Sequence, residues 1–238
     1  MTADASTLFL PLGSTLEGVR ALPRSGMEPE QGPPIVALVC SAGGLQALQH
    51  VLAPLPADFR AAVLVLQHQS PDHRSLLAQI LARTCPLPVR AARSGDALIA
   101  GTVLVVPPGT HALATVQNTL ALIASDGPPP YRPSADLLLT SLAVTAGPRV
   151  IAVVLSGVGT DGATGAVAVH DLGGTVIAAD RASSAQFGMP SAAIGRDDAV
   201  THVLPVEEIP RLLAELVPAA GAGIRQVASS ARPRDERG

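Results

Sequence analysis

Three polar side chains in this chain each follow a run of apolar residues that is rich in β-branched side chains. The runs are residues 35–39, 61–66 and 149–155, and the polar residues that follow them are Ser41, His68 and Asp161. Continuous apolar runs of this length are typical of strands buried on both faces, as in a parallel sheet covered by helices. The carboxyl ends of parallel strands form the binding crevice of such a sheet. The sequence therefore predicts that a serine, a histidine and an aspartate meet at one sheet edge.

The remaining apolar runs extend the same pattern along the chain. Further strands are predicted at residues 88–91, 102–106, 175–179 and 200–204, and a hairpin within 112–123. Hydrophobic residues make up 47% of the chain but aromatic residues only 2%, so the core must consist of Val, Leu, Ile and Ala. We therefore predict an α/β fold with a single doubly wound, mostly parallel sheet, helices on both faces and a small β-hairpin.

Local signals predict the helix boundaries and the limits of the folded domain. Helices are predicted to start at Ser70-Pro71-Asp72 and at residues 133–136, to run from about Asp161 to Leu172, and to close the chain from about Val206 to Leu216. Residues 1–34 mix Ser, Gly, Pro and charge without a period, and predict a flexible N-terminal extension. Residues 218–238 are rich in Ala, Gly, Ser and Arg and predict a disordered tail. The domain is expected over residues 35–217.

Composition argues against several classes of function. The net charge is −3 and no basic face is evident, so nucleic acid is not an expected partner. No apolar run approaches the roughly 18 residues of a membrane helix, so no membrane insertion is expected. The N-terminus lacks a basic segment followed by an apolar one, so a secretory signal is not expected either. The two cysteines and six histidines show no metal-ligand spacing, and no cofactor is predicted. A cytoplasmic protein is the resulting expectation.

Ser41, His68 and Asp161 are the residue types of a hydrolase triad, which needs a nucleophile, a general base and an acid that orients the base. Ser41 lies at a strand-to-helix junction, where the following N–H groups can bind the oxyanion of a tetrahedral intermediate. The N–H of Val158 or Gly159 in the aspartate turn offers a second donor. A serine hydrolase is therefore the leading interpretation.

Each of these residues also has a simpler interpretation. Ser41 could be only the N-cap of the helix that follows it. The glycine turn Gly43-Gly44 could bind a phosphate, although it matches neither common phosphate-loop pattern. His68 could be a structural histidine, and Asp161 an acid favoured by the dipole of its own helix. The sequence alone leaves these alternatives open.

Six motifs in order along the chain carry a resemblance to a known family. They are Ser41-Ala42-Gly43-Gly44, Gln67-His68, residues 106–109 with His111, residues 132–136, residues 155–162 and residues 187–190. From about Ile35 to Leu216 the chain resembles the catalytic domain of the CheB-type chemotaxis receptor methylesterases. The resemblance implies a serine esterase that hydrolyses glutamate γ-methyl esters on the cytoplasmic helices of methyl-accepting chemoreceptors, and that can also deamidate receptor glutamines. It implies Ser41 as nucleophile, His68 as base, Asp161 as orienting acid, and the N–H groups of Ala42 and Val158 as oxyanion donors.

The chain also departs from that family. Val39-Cys40 stands where a glycine and a small residue are common, and Val158 where methionine is usual. Typical members carry an N-terminal receiver domain, which the 34 residues before Ile35 are too few to form. We therefore expect a stand-alone catalytic domain, either constitutively active or controlled by a separate regulatory protein. The competing hypotheses are a signalling or binding module of the same fold with weak catalysis, and a nucleotide-binding protein that uses Gly43-Gly44.

Overall fold

The computed structural model describes residues 32–72, 74–125 and 132–217 of the chain. The strands are β1 (Ile35–Cys40), β2 (Ala62–Gln67), β3 (Val89–Ala91), β4 (Thr102–Val105), β5 (Thr110–Ala114), β6 (Leu120–Ala124), β7 (Val150–Val154), β8 (Thr175–Ala179) and β9 (His202–Leu204). The helices are α1 (Gly44–Leu52), α2 (Leu77–Leu81), α3 (Ala135–Ala146), α4 (Ala163–Asp171), α5 (Gly188–Ile194) and α6 (Ile209–Leu216), with a 3-10 turn at Gly147–Arg149. The two predicted terminal segments fall almost wholly outside the described residues.

Seven strands form one sheet in the order β3-β4-β2-β1-β7-β8-β9. Every pairing in this sheet is parallel, and the remaining strands, β5 and β6, pair with each other as an antiparallel hairpin. The predicted parallel sheet and small hairpin are confirmed. All six residues of β1 are buried, because β1 lies in the middle of the sheet and is covered on both faces.

Alternate residues of each strand supply two separate cores. Ile35, Ala37 and Val39 face a core shared with α3, α4, α5 and the hairpin. Val36, Leu38 and Cys40 face a second core shared with α1, α2 and α6. This alternation follows from the two-residue period of a strand. It confirms that the sheet is doubly wound, with helices on both faces.

The sheet order creates a crevice between β1 and β7. The chain leaves β1 toward β2 on one side, and returns later to β7 on the other side. The helices that follow these two strands pack on opposite faces, α1 in one core and α4 in the other. A crevice at such a switch point is the usual ligand site of an open α/β sheet.

Two predicted helix starts are wrong. The helix predicted at Ser70 begins at Leu77, because Ser70 and Asp72 bond locally instead: the Asp72 N–H donates to Ser70 Oγ at 3.3 Å, and that hydroxyl donates to Asp72 Oδ2 at 2.8 Å. The closing helix begins at Ile209 rather than Val206, and Pro210 lies in its first turn, where proline fits without loss of a hydrogen bond.

None of the helices within the described ranges is long and apolar enough to cross a membrane.

Candidate active site

Ser41 is the first residue after β1, and its backbone is fixed between β1 and β7. The Ser41 N–H donates to the carbonyl oxygen of Ser156 at 2.9 Å, and the Gly44 N–H donates to the Ser41 carbonyl oxygen at 3.0 Å. The N-cap of α1 is Gly43, with no side-chain cap. The interpretation of Ser41 as a helix N-cap is therefore wrong, and its hydroxyl is not used to begin α1.

Two glycines near Ser41 have no room for a side chain: Gly43 in the turn after β1, and Gly157 in the turn after β7. Gly43 has a left-handed φ of +77°, and a Cβ there would lie 2.6 Å from Ser156 Oγ. A Cβ on Gly157 would lie 3.0 Å from the Cβ of Ser41 and would overlap the sulfur of Met189. The β7 turn therefore packs directly against the serine, and small residues are a steric requirement at both positions.

His68 leaves β2 at the same level at which Ser41 leaves β1. Cys40 and Gln67 are register partners in these neighbouring parallel strands. The His68 N–H donates to the Cys40 carbonyl oxygen at 3.0 Å, which continues the ladder by one residue. Neighbouring strands lie about 4.8 Å apart, so the backbones of Ser41 and His68 are adjacent across that spacing. This confirms the expectation that the two residues emerge together at one sheet edge.

Asp161, from the turn after β7, binds the imidazole of His68. His68 Nε2 lies 2.8 Å from Asp161 Oδ2. Asp161 is only 3% exposed, and the side chain of His68 is 11% exposed. An ionised carboxylate can only accept hydrogen bonds, so Nε2 must carry the proton. The Asp161 carboxylate thereby sets the tautomer and the orientation of the ring.

The carboxylate of Asp161 lies at the N-terminus of α3, not of its own helix. Its Oδ1 accepts from Ser134 Oγ at 3.1 Å and from the Asp136 N–H at 2.9 Å, and its Oδ2 accepts from the Ala135 N–H at 2.6 Å. The interpretation of Asp161 as an acid of its own helix is therefore wrong, because α4 begins two residues later with Gly162 as its N-cap.

These contacts keep Asp161 ionised. Burial alone would raise the pKa of Asp161, but the hydrogen bonds from His68 and from the Asp136 and Ala135 N–H groups outweigh it, so the pKa lies below its usual range. The N-terminal end of α3 adds the positive end of its dipole. An ionised acid can hold a histidine and stabilise its protonated form.

Asp136, in the first turn of α3, binds the start of α4 in a similar way. Its Oδ1 accepts from the N–H groups of Gly162 at 2.9 Å and Gly165 at 2.7 Å, at the start of α4. Burial, helped by the negative charge of Asp161, raises the pKa of Asp136 against the effect of these hydrogen bonds. Asp161 therefore binds the start of α3, which contains Asp136, and Asp136 binds the start of α4, which follows Asp161 in the chain. We call this pair the reciprocal cap.

The predicted oxyanion donors belong to exposed residues. Ala42 is exposed, and Val158 is 56% exposed. Among the described residues, no protein group accepts a hydrogen bond from the N–H of Ala42 or of Val158. Buried Ser156 fixes this region, since its hydroxyl donates to the Ala42 carbonyl oxygen at 2.8 Å and accepts from the Gln186 N–H at 2.9 Å.

Cys40 is adjacent to Ser41 in sequence but has no chemical role at this edge. Its side chain points into the core and is fully buried. Burial raises the pKa of the Cys40 thiol far above its usual range, so the thiol stays protonated and is not a nucleophile.

Sequence reasoning missed part of the site. It predicted a helix start at Ser134 but did not connect that start to Asp161, and it gave no role to Asp136, His111 or Ser156. The signal for Ser134 was present, because Ser followed by a small residue and Asp after a proline is typical of an N-cap. Which distant group a helix terminus binds is a tertiary property that local sequence does not encode.

Comparison with known protein families gives one consistent result. The family model described as CheB methylesterase matches residues 36–213. A protein-glutamate methylesterase/protein-glutamine glutaminase of Koribacter versatilis is 38% identical over 204 residues, which is 81% of this chain and 56% of that protein. One of Anaeromyxobacter dehalogenans is 46% identical over 184 residues, covering 76% of this chain and 53% of that protein. The chain thus spans about half the length of these curated relatives.

Comparison with solved structures gives the same result for the fold. The crystal structure of the Thermotoga maritima CheB methylesterase catalytic domain superposes with a TM-score of 0.74 at 36% sequence identity. The match covers 78% of this chain and 100% of that domain.

Proposed function

The chain belongs to the CheB methylesterase family, and we propose on that basis that it is a serine esterase that hydrolyses glutamate γ-methyl esters on methyl-accepting chemoreceptors. The observation that carries the proposal is the buried 2.8 Å hydrogen bond between His68 and Asp161, with His68 one strand away from Ser41. A structural histidine needs no ionised partner held by three further donors, whereas a general base does.

In the proposed reaction, Ser41 Oγ attacks the ester carbonyl carbon while His68 takes the serine proton. Since Nε2 is held by Asp161, the transfer uses the other ring nitrogen, Nδ1. The C=O electron pair moves onto oxygen, and the N–H groups of Ala42 and Val158 bind that oxyanion. When the intermediate collapses, His68 returns the proton to the leaving methoxide, and methanol departs. A water molecule, activated by His68 in the same way, then hydrolyses the acyl-enzyme to a glutamate carboxylate.

The openness of the site favours a protein side chain as the substrate. Pockets for small molecules are usually concave and enclose most of the ligand. Here Ala42 and Val158, the predicted oxyanion donors, are exposed, and the cavity of about 700 Å³ found along the carboxyl ends of β3 and β4 is not lined by Ser41, His68 or Asp161. A glutamate ester that projects from a receptor helix could reach such a site. A receptor glutamine could bind in the same way, which extends the proposal to deamidation.

The test is methanol release from methylated chemoreceptor membranes. The wild-type chain should release methanol, and folded Ser41→Ala should not. Ser191→Ala, which removes an exposed serine hydroxyl from α5, is the matched control and should keep full activity. A serine-directed fluorophosphonate should label the wild type and Ser191→Ala, but not Ser41→Ala.

These outcomes separate the esterase from its main alternative. Release that survives in Ser41→Ala would contradict the role of Ser41. Absence of both methanol release and labelling in the folded wild type would contradict the esterase, and would leave a binding module of the same fold.

A further inference from the structure

Two hydrogen bonds join the hairpin β5–β6 to α3 and its N-cap. The two residues that form them on the α3 side, Ser134 and Ser141, are seven positions apart in sequence. The Ser134 N–H donates to Nδ1 of His111 at 3.1 Å, at the N-cap of α3. The Ala114 N–H donates to Ser141 Oγ at 2.9 Å, in the second turn of the helix. The first of these contacts lies at the end of α3 that binds Asp161, and the second does not.

His111 is connected to Asp161 through a single residue, Ser134, which forms a hydrogen bond with each of them. Ser134 donates its N–H to His111 and its hydroxyl to Asp161 Oδ1 at 3.1 Å. Because His111 Nδ1 accepts a backbone N–H, the ring must be unprotonated at this nitrogen. His111 therefore fixes the backbone of the residue whose side chain holds the acid, and the acid holds His68.

We propose that His111 is a positioning residue for the triad: its neutral Nδ1 sets the place of Ser134 and, through Ser134, the place of Asp161. The role rests on the proposed esterase function. The physical reason is that the Ser134 N–H precedes the first turn of α3 and has no intrahelical partner. Without an acceptor from the hairpin, the N-cap can shift, and the donors that aim Asp161 at His68 shift with it.

The variants follow from the geometry of the acceptor. His111→Asn places an amide oxygen near the position of Nδ1 and should keep the contact. His111→Ala removes it. Ser141→Ala is the matched control, because it removes the other hydrogen bond between the same hairpin and the same helix, away from Asp161. Loss of a hydrogen bond of this kind is commonly equivalent to roughly tenfold in an equilibrium constant, and we expect kcat to fall about tenfold in His111→Ala with KM nearly unchanged.

The pattern across the three variants decides the proposal. His111→Asn should recover kcat to within about threefold of the wild type, and Ser141→Ala should keep kcat even where urea unfolding shows it to be as destabilised as His111→Ala. Equal kcat losses in His111→Ala and Ser141→Ala at equal stability would overturn the proposal, because the hairpin would then act only on folding. So would a full loss in His111→Asn with the hydrogen bond retained.

A second measurement does not depend on turnover. The proton on His68 Nε2, in its hydrogen bond to Asp161, should give a resolved downfield resonance in proton NMR, assigned by its absence in His68→Gln. We expect this resonance in the wild type, His111→Asn and Ser141→Ala, and its shift or broadening in His111→Ala. An unchanged resonance in His111→Ala would refute the positioning role even if the esterase is active. A changed resonance in a chain without esterase activity would contradict the proposed function alone.

Discussion

Asp161→Asn is the substitution that most directly tests the arrangement around His68. Each carboxylate oxygen of Asp161 accepts two hydrogen bonds: Oδ1 from Ser134 Oγ and the Asp136 N–H, and Oδ2 from His68 Nε2 and the Ala135 N–H. Asparagine replaces one of these oxygens by an NH₂ group, which donates. Whichever way the amide turns, one rigid backbone N–H then faces another donor.

The magnitudes follow from what each orientation loses. A buried donor without a partner costs about 1–3 kcal/mol, so Asp161→Asn should lower the free energy of unfolding by that amount. If the NH₂ replaces Oδ2, His68 must adopt the opposite tautomer, and an error of this kind lowers kcat by about 10⁴ in serine proteases. If it replaces Oδ1, the tautomer survives but the charge that stabilises protonated His68 is gone, which costs about 1.5–3 kcal/mol. We therefore expect kcat to fall by about 10-fold to 10⁴-fold, depending on the orientation of the amide.

Asp136→Asn is the matched control, since it is the same chemical change on the other member of the reciprocal cap. Asp136 accepts both of its α4 hydrogen bonds on Oδ1, and an amide oxygen can keep both. We expect its kcat to stay within about tenfold of the wild type, because the acceptor that orders α4 remains.

Methanol release at saturating substrate, together with urea unfolding of both variants, provides the assay. A folded Asp161→Asn with kcat within tenfold of the wild type would refute the reasoning about the carboxylate. Equal losses of kcat in Asp161→Asn and Asp136→Asn would show that capping, and not the charge beside His68, controls the rate.

The remaining predictions concern pH and packing. Burial raises the folded-state pKa of Asp136, so its charge destabilises the fold at neutral pH and this cost disappears as the pH falls through that pKa. Urea unfolding from pH 4 to 7 should therefore show Asp136→Asn gaining stability relative to the wild type as the pH rises, and a constant difference would contradict the burial effect. The pKa of Asp161 is lowered in the folded state, so its ionised carboxylate stabilises the fold fully above the unfolded-state pKa of about 3.9, and this stabilisation is lost as the pH falls below that value. The difference in the free energy of unfolding between the wild type and Asp161→Asn should therefore shrink at low pH. Gly157→Ala introduces a Cβ 3.0 Å from the Cβ of Ser41 and should cost about 1–3 kcal/mol, with reduced fluorophosphonate labelling; unchanged labelling and stability would mean that the turn adjusts.

The sheet was predictable because its signals are local. Each apolar run is long enough to be a buried strand, and the polar residue after it marks the carboxyl end. Parallel pairing then brings Ser41, His68 and Asp161 to one edge, whichever order the strands take within it. This is why three candidate site residues could be proposed before the sheet order was known.

The helix boundaries and the supporting residues were less predictable, for two different reasons. Ser70-Pro71-Asp72 has the composition of a helix start, but the same side chains can close a turn on themselves, and composition does not distinguish the two outcomes. Asp136 and Ser134 bind residues 25 or more positions away, and nothing in their own segment says which partner tertiary packing will supply.

The reciprocal cap also explains a glycine that sequence reasoning left without a role. Gly165 lies inside α4, where glycine is unfavourable by roughly 1 kcal/mol relative to alanine. A Cβ there would lie 2.6 Å from the Cβ of Leu139 and 3.2 Å from the Cα of Asp136, both in α3. The two helices must approach this closely for Asp136 to accept from the Gly165 N–H at 2.7 Å while Asp161 accepts from the start of α3. An alanine at this position would separate the helices and weaken both halves of the reciprocal cap. The position of Asp161 therefore depends on Gly165, whose own hydrogen bond is to Asp136.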